Sequence, residues 1–337
     1  MTAAAGVTVH RWSRASIAAM ATLGALLVVL ALGPLFLGSY WTDRLTTLFV
    51  YVLLAAMWNA LAGYGGLVSV GQQLFFGLGA YAAIRLSHAG VPVYVALIVA
   101  PVLVGLLAFP LSPFVLRLRG GEFAIGMWVL AELGHLLVNL DRLINGETGF
   151  SLIAISAFAP SARRADNYWL AFGMMVLLVG AVFVLLRSRL GVSIQAIRDN
   201  EEAAASVGVR VYQTKQVIFV LAALGCAAGG SMTLATLISF QPHAYFSVQW
   251  TAYMIFMTLV GGLGTFEGPI VGAVIFFLVE TIFGGSGAWY LVGLGASAVL
   301  FALFFPRGIW GGLTSRFGWQ FMPVGYRLRL PLAREGQ

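Results

Sequence analysis

The side chains best able to do chemistry in this chain lie inside long apolar stretches. Glu132 and His135 stand three residues apart within the stretch 117–139, a spacing that places both on one face of a helix. A carboxylate in hydrocarbon costs on the order of several kcal/mol, so it is usually paired and turned toward a protein interior. Two interpretations stay open: a purely structural pair, or a pair that lines, gates or carries protons along a substrate path.

A second polar pair, Gln72 and Gln73, occupies the glycine-rich segment 63–81. Small residues allow helices to pack closely in lipid, which by itself explains the glycines. The two amides lie about 100° apart on a helix, so each needs its own partner in a bundle interior or a water-filled path. Gly71 also permits an interruption of the helix, as at midplane transporter sites. We therefore name four residues as candidates for a translocation pathway: Gln72, Gln73, Glu132 and His135.

A third stretch, 260–273, predicts a glycine-rich turn containing Glu267, with Pro269 in the first turn of the next helix. Its glycine density resembles that of 63–81 and suggests a weak internal repeat. Glu280, in the following apolar run, is a further lone acid that we treat as we treat Glu132. We interpret Asn59 as a polar residue that packs helices together.

The residue sets of enzymes and cofactor sites are missing from the sequence. The only lysine, Lys215, has no glycine-rich phosphate loop before it. The single cysteine, Cys226, lies in an apolar run, which excludes a disulfide framework and a cysteine metal site. We therefore predict no catalytic residue, no metal ligand and no cofactor bound directly. If ATP powers the protein, partner subunits must bind and hydrolyse it.

The elements that hold these residues are membrane helices. The chain has 337 residues, of which 60% are hydrophobic and 9% charged, and apolar runs of about 20 residues recur along it. We predict an all-α polytopic membrane protein with a cytoplasmic N-terminal segment (1–15), a transmembrane domain (16–305) and a cytoplasmic C-terminal tail (306–337). About ten transmembrane helices are expected, at 16–38, 45–62, 67–86, 92–115, 122–140, 168–186, 216–238, 250–263, 269–283 and 288–305.

Basic residues set the expected orientation. With the N-terminus in the cytoplasm, 14 of the 19 lysine and arginine residues fall on the cytoplasmic side, as the positive-inside rule requires. The longest outside loop is then 141–167, with Pro160 and Asn167 among its turn formers. Spans 250–263 and 269–283 are short, so half-helices or a re-entrant hairpin that does not fully cross the membrane are the alternative to two full spans. The net charge of +7 is scattered over short loops and the tail, which does not indicate nucleic-acid binding.

The loop 187–215 is the most polar long segment, and its sequence predicts a short helix. Asp199 is a good N-cap, and Glu202 three residues later completes an acidic capping box. Ala203, Ala204 and Ala205 favour helix, and Gly208 stands where a C′ glycine ends one. Because so short a helix is marginal in water, it makes most sense as a docking element. The alternative is a solvated loop whose basic residues only obey the positive-inside rule.

These stretches together resemble the LivM-like permease subunits of branched-chain amino-acid ABC importers over about residues 45–305. The resemblance rests on four motifs. The first two are Ser69, Gly71, Phe75 to Gly77 and Gly79 to Tyr81 in the glycine-rich segment, and Arg117 to Gly120, Glu122 to Ile125 and Glu132 in the next polar stretch. The other two are Ser188 to Gly191 with the polar-loop motif, and the late glycine-rich turn with Gly261, Gly262, Gly264, Gly268 and Pro269. Gln72 and His135 depart from the histidine and arginine that many members carry there, which leaves the exact solute open.

The resemblance implies an ATPase-coupling loop, whose residues are Arg198, Asp199, Glu201, Glu202, Ala203, Ala204 and Gly208. It also implies a bacterial inner-membrane import complex in which this chain pairs with a second, LivH-like permease, two ATPase subunits and a periplasmic solute-binding protein. The solute expected is a branched-chain or related amino acid, with urea or amides as alternatives within the same permease class.

Three other functions explain these residues less well than a permease does. An ion-coupled secondary transporter would use Glu132 and Glu280 as ion-binding acids, but it does not explain the capped polar helix. A membrane scaffold does not explain the four polar residues inside the spans. An integral membrane enzyme lacks clustered catalytic residues.

Overall fold

The computed structural model describes residues 8–10, 14–144, 146–305, 307–317, 321–322, 324–325 and 327–329, so most of the predicted terminal segments lie outside it. The described chain is an all-α membrane protein, as predicted. Its helices are α1 (Arg14–Ala31), α2 (Gly33–Phe36), α3 (Ser39–Asn59), α4 (Gln73–His88), α5 (Val93–Val115), α6 (Gly121–Asn139), α7 (Pro160–Arg187), α8 (Arg189–Asp199), α9 (Glu201–Ser206), α10 (Val211–Leu237), α11 (Pro242–Tyr245), α12 (Val248–Gly261), α13 (Gly268–Phe283), α14 (Ala288–Phe304) and α15 (Gly308–Phe317).

Short irregular elements complete the described chain. A π-helical turn (Ala60–Tyr64) continues α3, and 3₁₀ turns cover Gly146–Thr148, Ile153–Ala157 and Gly284–Ser286. Four short strands form two antiparallel pairs: β1 (Thr8–His10) with β4 (Arg327–Arg329), and β2 (Phe150–Ser151) with β3 (Ser239–Phe240). The first pair brings the two ends of the described chain together.

Within the described residues, six helices are long and apolar enough to cross a membrane: Ser39–Tyr64, Val93–Val115, Gly121–Asn139, Pro160–Arg187, Val211–Leu237 and Trp289–Arg316. Two shorter apolar helices, Ser16–Ala31 and Gly268–Phe283, fall below that length. The multi-pass character of the chain is therefore confirmed, and the count of ten spans stays a prediction.

The core is built around α10 and α3. In their most apolar 18-residue segments, 78% and 83% of the residues are buried, whereas the corresponding share in α6 and in α7 is 28%. Helix α10 packs against α3, α4, α5 and α7. Close approach of α4 and α10 depends on small residues, because a Cβ added at Gly230 would lie 1.8 Å from the Phe76 carbonyl oxygen. Small residues at such crossings allow van der Waals contact between helix backbones in lipid. Within the 63–81 stretch, Gly79 serves the same contact, because a Cβ added there would meet the Ala227 backbone of α10, as the simpler interpretation predicted.

The predicted span 67–86 is wrong at its beginning. The chain leaves the π-helical turn after Tyr64 and stays non-helical until α4 begins at Gln73. The Trp58 indole N–H donates to the Ser69 carbonyl at 2.9 Å, so this segment runs back alongside α3. Non-helical backbone at membrane depth is tolerated where protein surrounds it, and Ser69 is fully buried. The residues around Gly71 are thus non-helical, but they precede α4 and do not interrupt it.

A second non-helical segment, residues 262–267, separates α12 from α13 and contacts the end of α3. The Asn59 side chain, on the last residue of α3, makes this contact: its N–H donates to the Thr265 carbonyl at 2.8 Å, and its oxygen accepts from the Gly264 N–H at 2.9 Å. Gly264 adopts a φ of 73°, which favours glycine. Asn59 thus ties the end of α3 to this segment, a more specific role than general helix packing. We refer to the non-helical residues 65–72 and 262–267 as the two helix breaks.

The loop predicted at 141–167 is shorter than expected, because α7 begins at Pro160 rather than near residue 168. Proline suits the first helical position, where its missing N–H costs nothing, so the residue that suggested a turn begins a helix. Asn167 lies inside α7 and donates its side-chain N–H to the Ala235 carbonyl of α10 at 2.9 Å. Both were wrongly interpreted as turn formers.

Candidate functional site

The predicted helix in the polar loop exists, but its N-cap is one residue later than expected. Asp199 ends α8, and Asn200 caps α9 by accepting a hydrogen bond from the Ala203 N–H at 2.9 Å. The backbone turns to extended geometry at Asn200 (φ −160°), so its side chain is the one that faces the orphan N–H groups. The Asp199–Glu202 capping box is therefore wrong. Asp199 instead accepts from the Arg198 guanidinium at 2.9 Å.

The C-terminus of α9 ends as predicted. Gly208 has a φ of 89°. Its N–H donates to the Ala205 carbonyl at 3.0 Å, and the Val209 N–H donates to the Ala204 carbonyl at 3.1 Å. This pair of bonds is the Schellman arrangement, in which a left-handed glycine closes the last turn. The helix is thus terminated sharply at both ends.

Helix α9 has an anchored face and an open face. Ala204 is buried, and the Glu201 carboxylate accepts from the Lys215 ammonium of α10 at 2.6 Å. The Lys215 side chain is only 10% exposed, so this ion pair fastens the helix to the bundle. Glu202 and Ala203 lie on the exposed side, and Val207 is 80% exposed. A six-residue helix held in this way presents a defined surface rather than a flexible loop.

Arg198 links the α8–α9 cluster to the two helix breaks, a contact that the sequence did not predict. Its guanidinium donates to the Gly63 carbonyl at 2.9 Å, beside the π-helical turn that ends α3. Gly66 and Gly264 lie against the same side chain. Arg198 belongs to the polar loop and the glycines to the stretches 63–81 and 260–273, and nothing in the spacing of these segments indicated that they meet. A displacement of α8 and α9 would therefore act directly on both breaks.

Gln72 and Gln73 are both buried at the beginning of α4, with different surroundings. The Gln73 backbone N–H donates to the Thr251 hydroxyl of α12 at 3.2 Å, and its side-chain oxygen accepts from the same hydroxyl. The amide nitrogen and oxygen of Gln72 contact no hydrogen-bond partner among the described residues. An unsatisfied buried amide costs about 1–3 kcal/mol. Whether either glutamine contacts solute stays a prediction.

The structure brings Glu132 and His135 together and adds a carboxylate that the sequence analysis missed. The two His135 ring nitrogens lie 3.2 Å from Glu132 Oε1 and 2.8 Å from Glu147 Oε1. Glu147 also accepts from the His243 backbone N–H at 3.0 Å, so it joins α6 to α11. The Glu132 side chain is 60% exposed, on a helix that exposes many apolar residues. It lies on the surface of this chain rather than in its interior, and a role in the pathway stays a prediction.

The pKa of Glu147 lies below its usual range. Partial burial acts to raise this pKa, but hydrogen bonds from Asn139, from the His243 backbone and from His135 outweigh burial. The charged form is therefore the one that the loop holds in place. In the sequence, the one indication of Glu147 is that it lies in the polar loop after the helix that carries Glu132 and His135.

A half-enclosed cavity of about 540 Å³ lies at the end of the bundle away from α9. It is formed by α3, α10, α11, α12 and α13, and its lining residues are Thr47, Val50, Tyr51, Thr233, Thr236, Leu237, His243, Ala244, Ser247, Gln249, Trp250, Tyr253 and Glu280. By contrast, a cavity of about 370 Å³ between α1, α3 and α7 is lined almost entirely by apolar residues. None of the four predicted pathway residues lines the polar cavity. Of its lining, the sequence analysis singled out only Glu280.

The described residues hold no cluster of three or more histidine, cysteine, aspartate and glutamate side chains suited to a metal ion. The arrangement contains instead a polar cavity at one end, two connected helix breaks, and a capped helix exposed at the other end.

Comparison with known proteins places this arrangement in a family. The family model for the branched-chain amino acid transport system permease component matches residues 41–305. The chain is 26% identical over 314 residues to the high-affinity branched-chain amino acid transport system permease protein LivM of Escherichia coli K12, covering 85% of this chain and 74% of that protein. It is 28% identical over 196 residues to the fructose import permease protein FrcC of Rhizobium meliloti, covering 55% and 52%.

Among solved structures, the chain is similar to a metal-chelate type ABC transporter in an inward-facing conformation. The TM-score is 0.46 at 17% sequence identity, and the match covers 79% of this chain and 90% of that one.

Proposed function

Because the chain belongs to the branched-chain amino acid transport system permease family, we propose that it is the subunit through which an ATP-binding-cassette importer moves branched-chain or related amino acids across the inner membrane. The chain itself is a multi-pass transport subunit of the ABC class. In this proposal it binds no cofactor directly and catalyses no reaction, and ATP is hydrolysed by partner chains.

The observation that carries the coupling part of the proposal is helix α9. It is capped at both ends, fastened by the Glu201–Lys215 ion pair and exposed along Glu202, Ala203 and Val207. Such a surface suits docking of a partner ATPase. Movement imposed there would reach the helix breaks through Arg198, which connects α8 to Gly63.

A second permease subunit is proposed on the surface of α6. Glu132 is 60% exposed there among exposed apolar neighbours such as Leu133 and Leu136. A carboxylate facing lipid at this depth is costly, whereas a LivH-like partner covering this face would supply polar contacts. In that assembly Glu132 and His135 would lie between the two permeases. Two ATPase subunits and a periplasmic binding protein complete the proposed complex.

The proposed orientation places both termini and α9 in the cytoplasm. It is supported by the distribution of basic residues and by the pairing of β1 with β4, which brings the N- and C-terminal segments together. The cavity next to α11 then opens toward the periplasm, where a solute-binding protein would deliver its cargo.

The test compares Glu202→Arg with Glu122→Arg, a matched reversal at an exposed glutamate in the first turn of α6. The complex is purified from its native membrane, scored for an ATPase and a second permease, and reconstituted for ATP-driven leucine uptake. Because like-charge contact at an interface costs several kcal/mol, we expect Glu202→Arg to lower uptake by about tenfold or more. Glu122→Arg should change it by less than about twofold.

Two results would contradict the proposal. Equal uptake by the two variants would refute the assignment of α9 as the coupling helix. A chain that purifies alone and transports without ATP would indicate ion coupling through Glu132 and Glu280. Uptake of urea or amides with no uptake of leucine would leave the ABC mechanism intact and change the solute.

A further inference from the structure

We propose that the polar cavity next to α11 is the solute site of this permease, and that Glu280 binds the ammonium group of the amino acid. This inference rests on the proposed function and names the side chain that recognises its solute. It concerns a cavity formed by α3, α10, α12 and α13, with α11 at its mouth.

Glu280 has the properties of a carboxylate that awaits a cation. One of its oxygens, Oε1, accepts from the Tyr51 hydroxyl at 2.8 Å, and Tyr51 is 4% exposed. Among the described residues, no basic side chain forms an ion pair with Glu280. Arg44, the basic residue whose charge acts on Glu280 through space, lies over the Tyr40 ring instead. A carboxylate accepts at about four lone-pair positions, so most of its capacity is unused.

The rest of the cavity suits the other groups of an aliphatic amino acid. Ser247 caps α12 by accepting from the Gln249 N–H, which leaves its own hydroxyl hydrogen available to a solute carboxylate. The positive end of the α12 dipole points the same way. Trp250 and Leu237 provide apolar surface for a hydrocarbon side chain. At about 540 Å³, the cavity falls within the range of about 300–1,000 Å³ found for small-molecule sites.

The cavity favours an amino acid over other candidates. A sugar such as fructose could donate hydroxyl hydrogen bonds to Glu280, but it carries no positive charge to pair with the carboxylate. Gln72, although unpartnered, does not line this cavity.

The experiment measures protection of a cysteine placed in the cavity. Thr236→Cys is made in the full chain and purified in its native complex, and its labelling by a methanethiosulfonate reagent is timed in the presence of leucine. The native chain gives the background, because its single Cys226 is fully buried. Ser315→Cys, exposed on α15 and outside the cavity, is the matched control. Leucine should slow labelling at position 236 several-fold and leave position 315 unchanged.

Two comparisons identify Glu280 as the recognising group. 4-Methylpentanoate, which is leucine without its amino group, should give no protection. Adding Glu280→Gln should raise the leucine concentration needed for protection by about ten- to hundredfold, the value of a charged hydrogen bond. Glu280→Asp keeps the carboxylate and should retain partial protection, which separates recognition from misfolding.

The outcomes distinguish this inference from the proposed function. ATP-driven leucine uptake without leucine protection at position 236, or protection that Glu280→Gln leaves unchanged, would overturn the inference and leave the importer standing. Protection that depends on Glu280, without any ATP-driven uptake, would support the site and refute the importer.

Discussion

The anchoring of α9 by the Glu201–Lys215 pair leads to a quantitative prediction for Glu201→Ala. The substitution leaves the Lys215 ammonium without its partner at 10% exposure. Removing one member of a buried ion pair costs about 3–5 kcal/mol, whereas an exposed pair contributes about 0.2–1 kcal/mol. Glu201 is itself 36% exposed, so the pair lies between these limits. We expect the loss to be about 1.5–3 kcal/mol of local stability.

That loss should appear as local opening of α9, because a six-residue helix has little stability of its own. Hydrogen exchange followed by mass spectrometry reports such opening at the amides of residues 203–209. Since 1.4 kcal/mol corresponds to a factor of about ten, these amides should exchange about ten- to hundredfold faster in Glu201→Ala.

The control is Glu202→Ala, the neighbouring acid in the same first turn, which is exposed and has no ion pair among the described contacts. It removes the same favourable interaction with the helix dipole, about 0.3–1 kcal/mol, without stranding a buried charge. Its exchange should rise by less than about fivefold. If the two variants exchange at the same rate, the ion pair does not fasten the helix, and the anchoring argument is wrong.

Three further predictions follow from buried contacts. Gln72→Leu should leave the melting temperature in detergent unchanged or higher, because it removes an unpaired amide. Gln73→Leu should lower the melting temperature, because the buried Thr251 hydroxyl of α12 loses its hydrogen-bond acceptor. A lower value for Gln72→Leu alone would refute this prediction. Gly230→Val should abolish correct folding, judged by monodisperse expression, while Gly173→Ala, with open space at its Cβ, should be tolerated. The pKa of Asp141 is lowered by a hydrogen bond from a tyrosine of α4 and by a nearby arginine. The stabilisation by Asp141 is therefore complete above about pH 4 and is lost as the pH falls through the lowered pKa. Asp141→Asn should flatten the acid side of a plot of melting temperature against pH.

The sequence predicted the fold class well because hydropathy reports it directly. The runs that became α5 and α10 are long, apolar and uninterrupted, so only their ends were in question. The run 67–86 was also predicted as a span, yet its first residues are not helical. Hydropathy cannot distinguish the two, because the backbone groups freed there are satisfied by a distant donor, Trp58, rather than by the segment itself.

Local capping was predictable to within one residue. The alternatives Asp199 and Asn200 are equally good N-caps in isolation, and the choice depends on where α8 ends. For the C-terminal end there was no alternative, because Gly208 is the one glycine after the alanine run within the loop 187–215. It ends the helix as expected. The polar cavity was harder to predict: polarity inside apolar runs singles out the four pathway candidates, and none of them lines it.

The sequence alone determined that this chain is an all-α, multi-pass membrane protein with a short capped helix in its polar loop, because these properties depend on residue type and local spacing. The tertiary structure decided which polar groups meet. Tyr51 and Glu280 are 229 positions apart, and Arg198 and Gly63 are 135 apart. In a membrane, helices associate through close packing and a few hydrogen bonds rather than through burial of apolar surface. Apolar periodicity therefore does not record which helices are neighbours, and only the packed bundle shows that Glu280 faces a cavity.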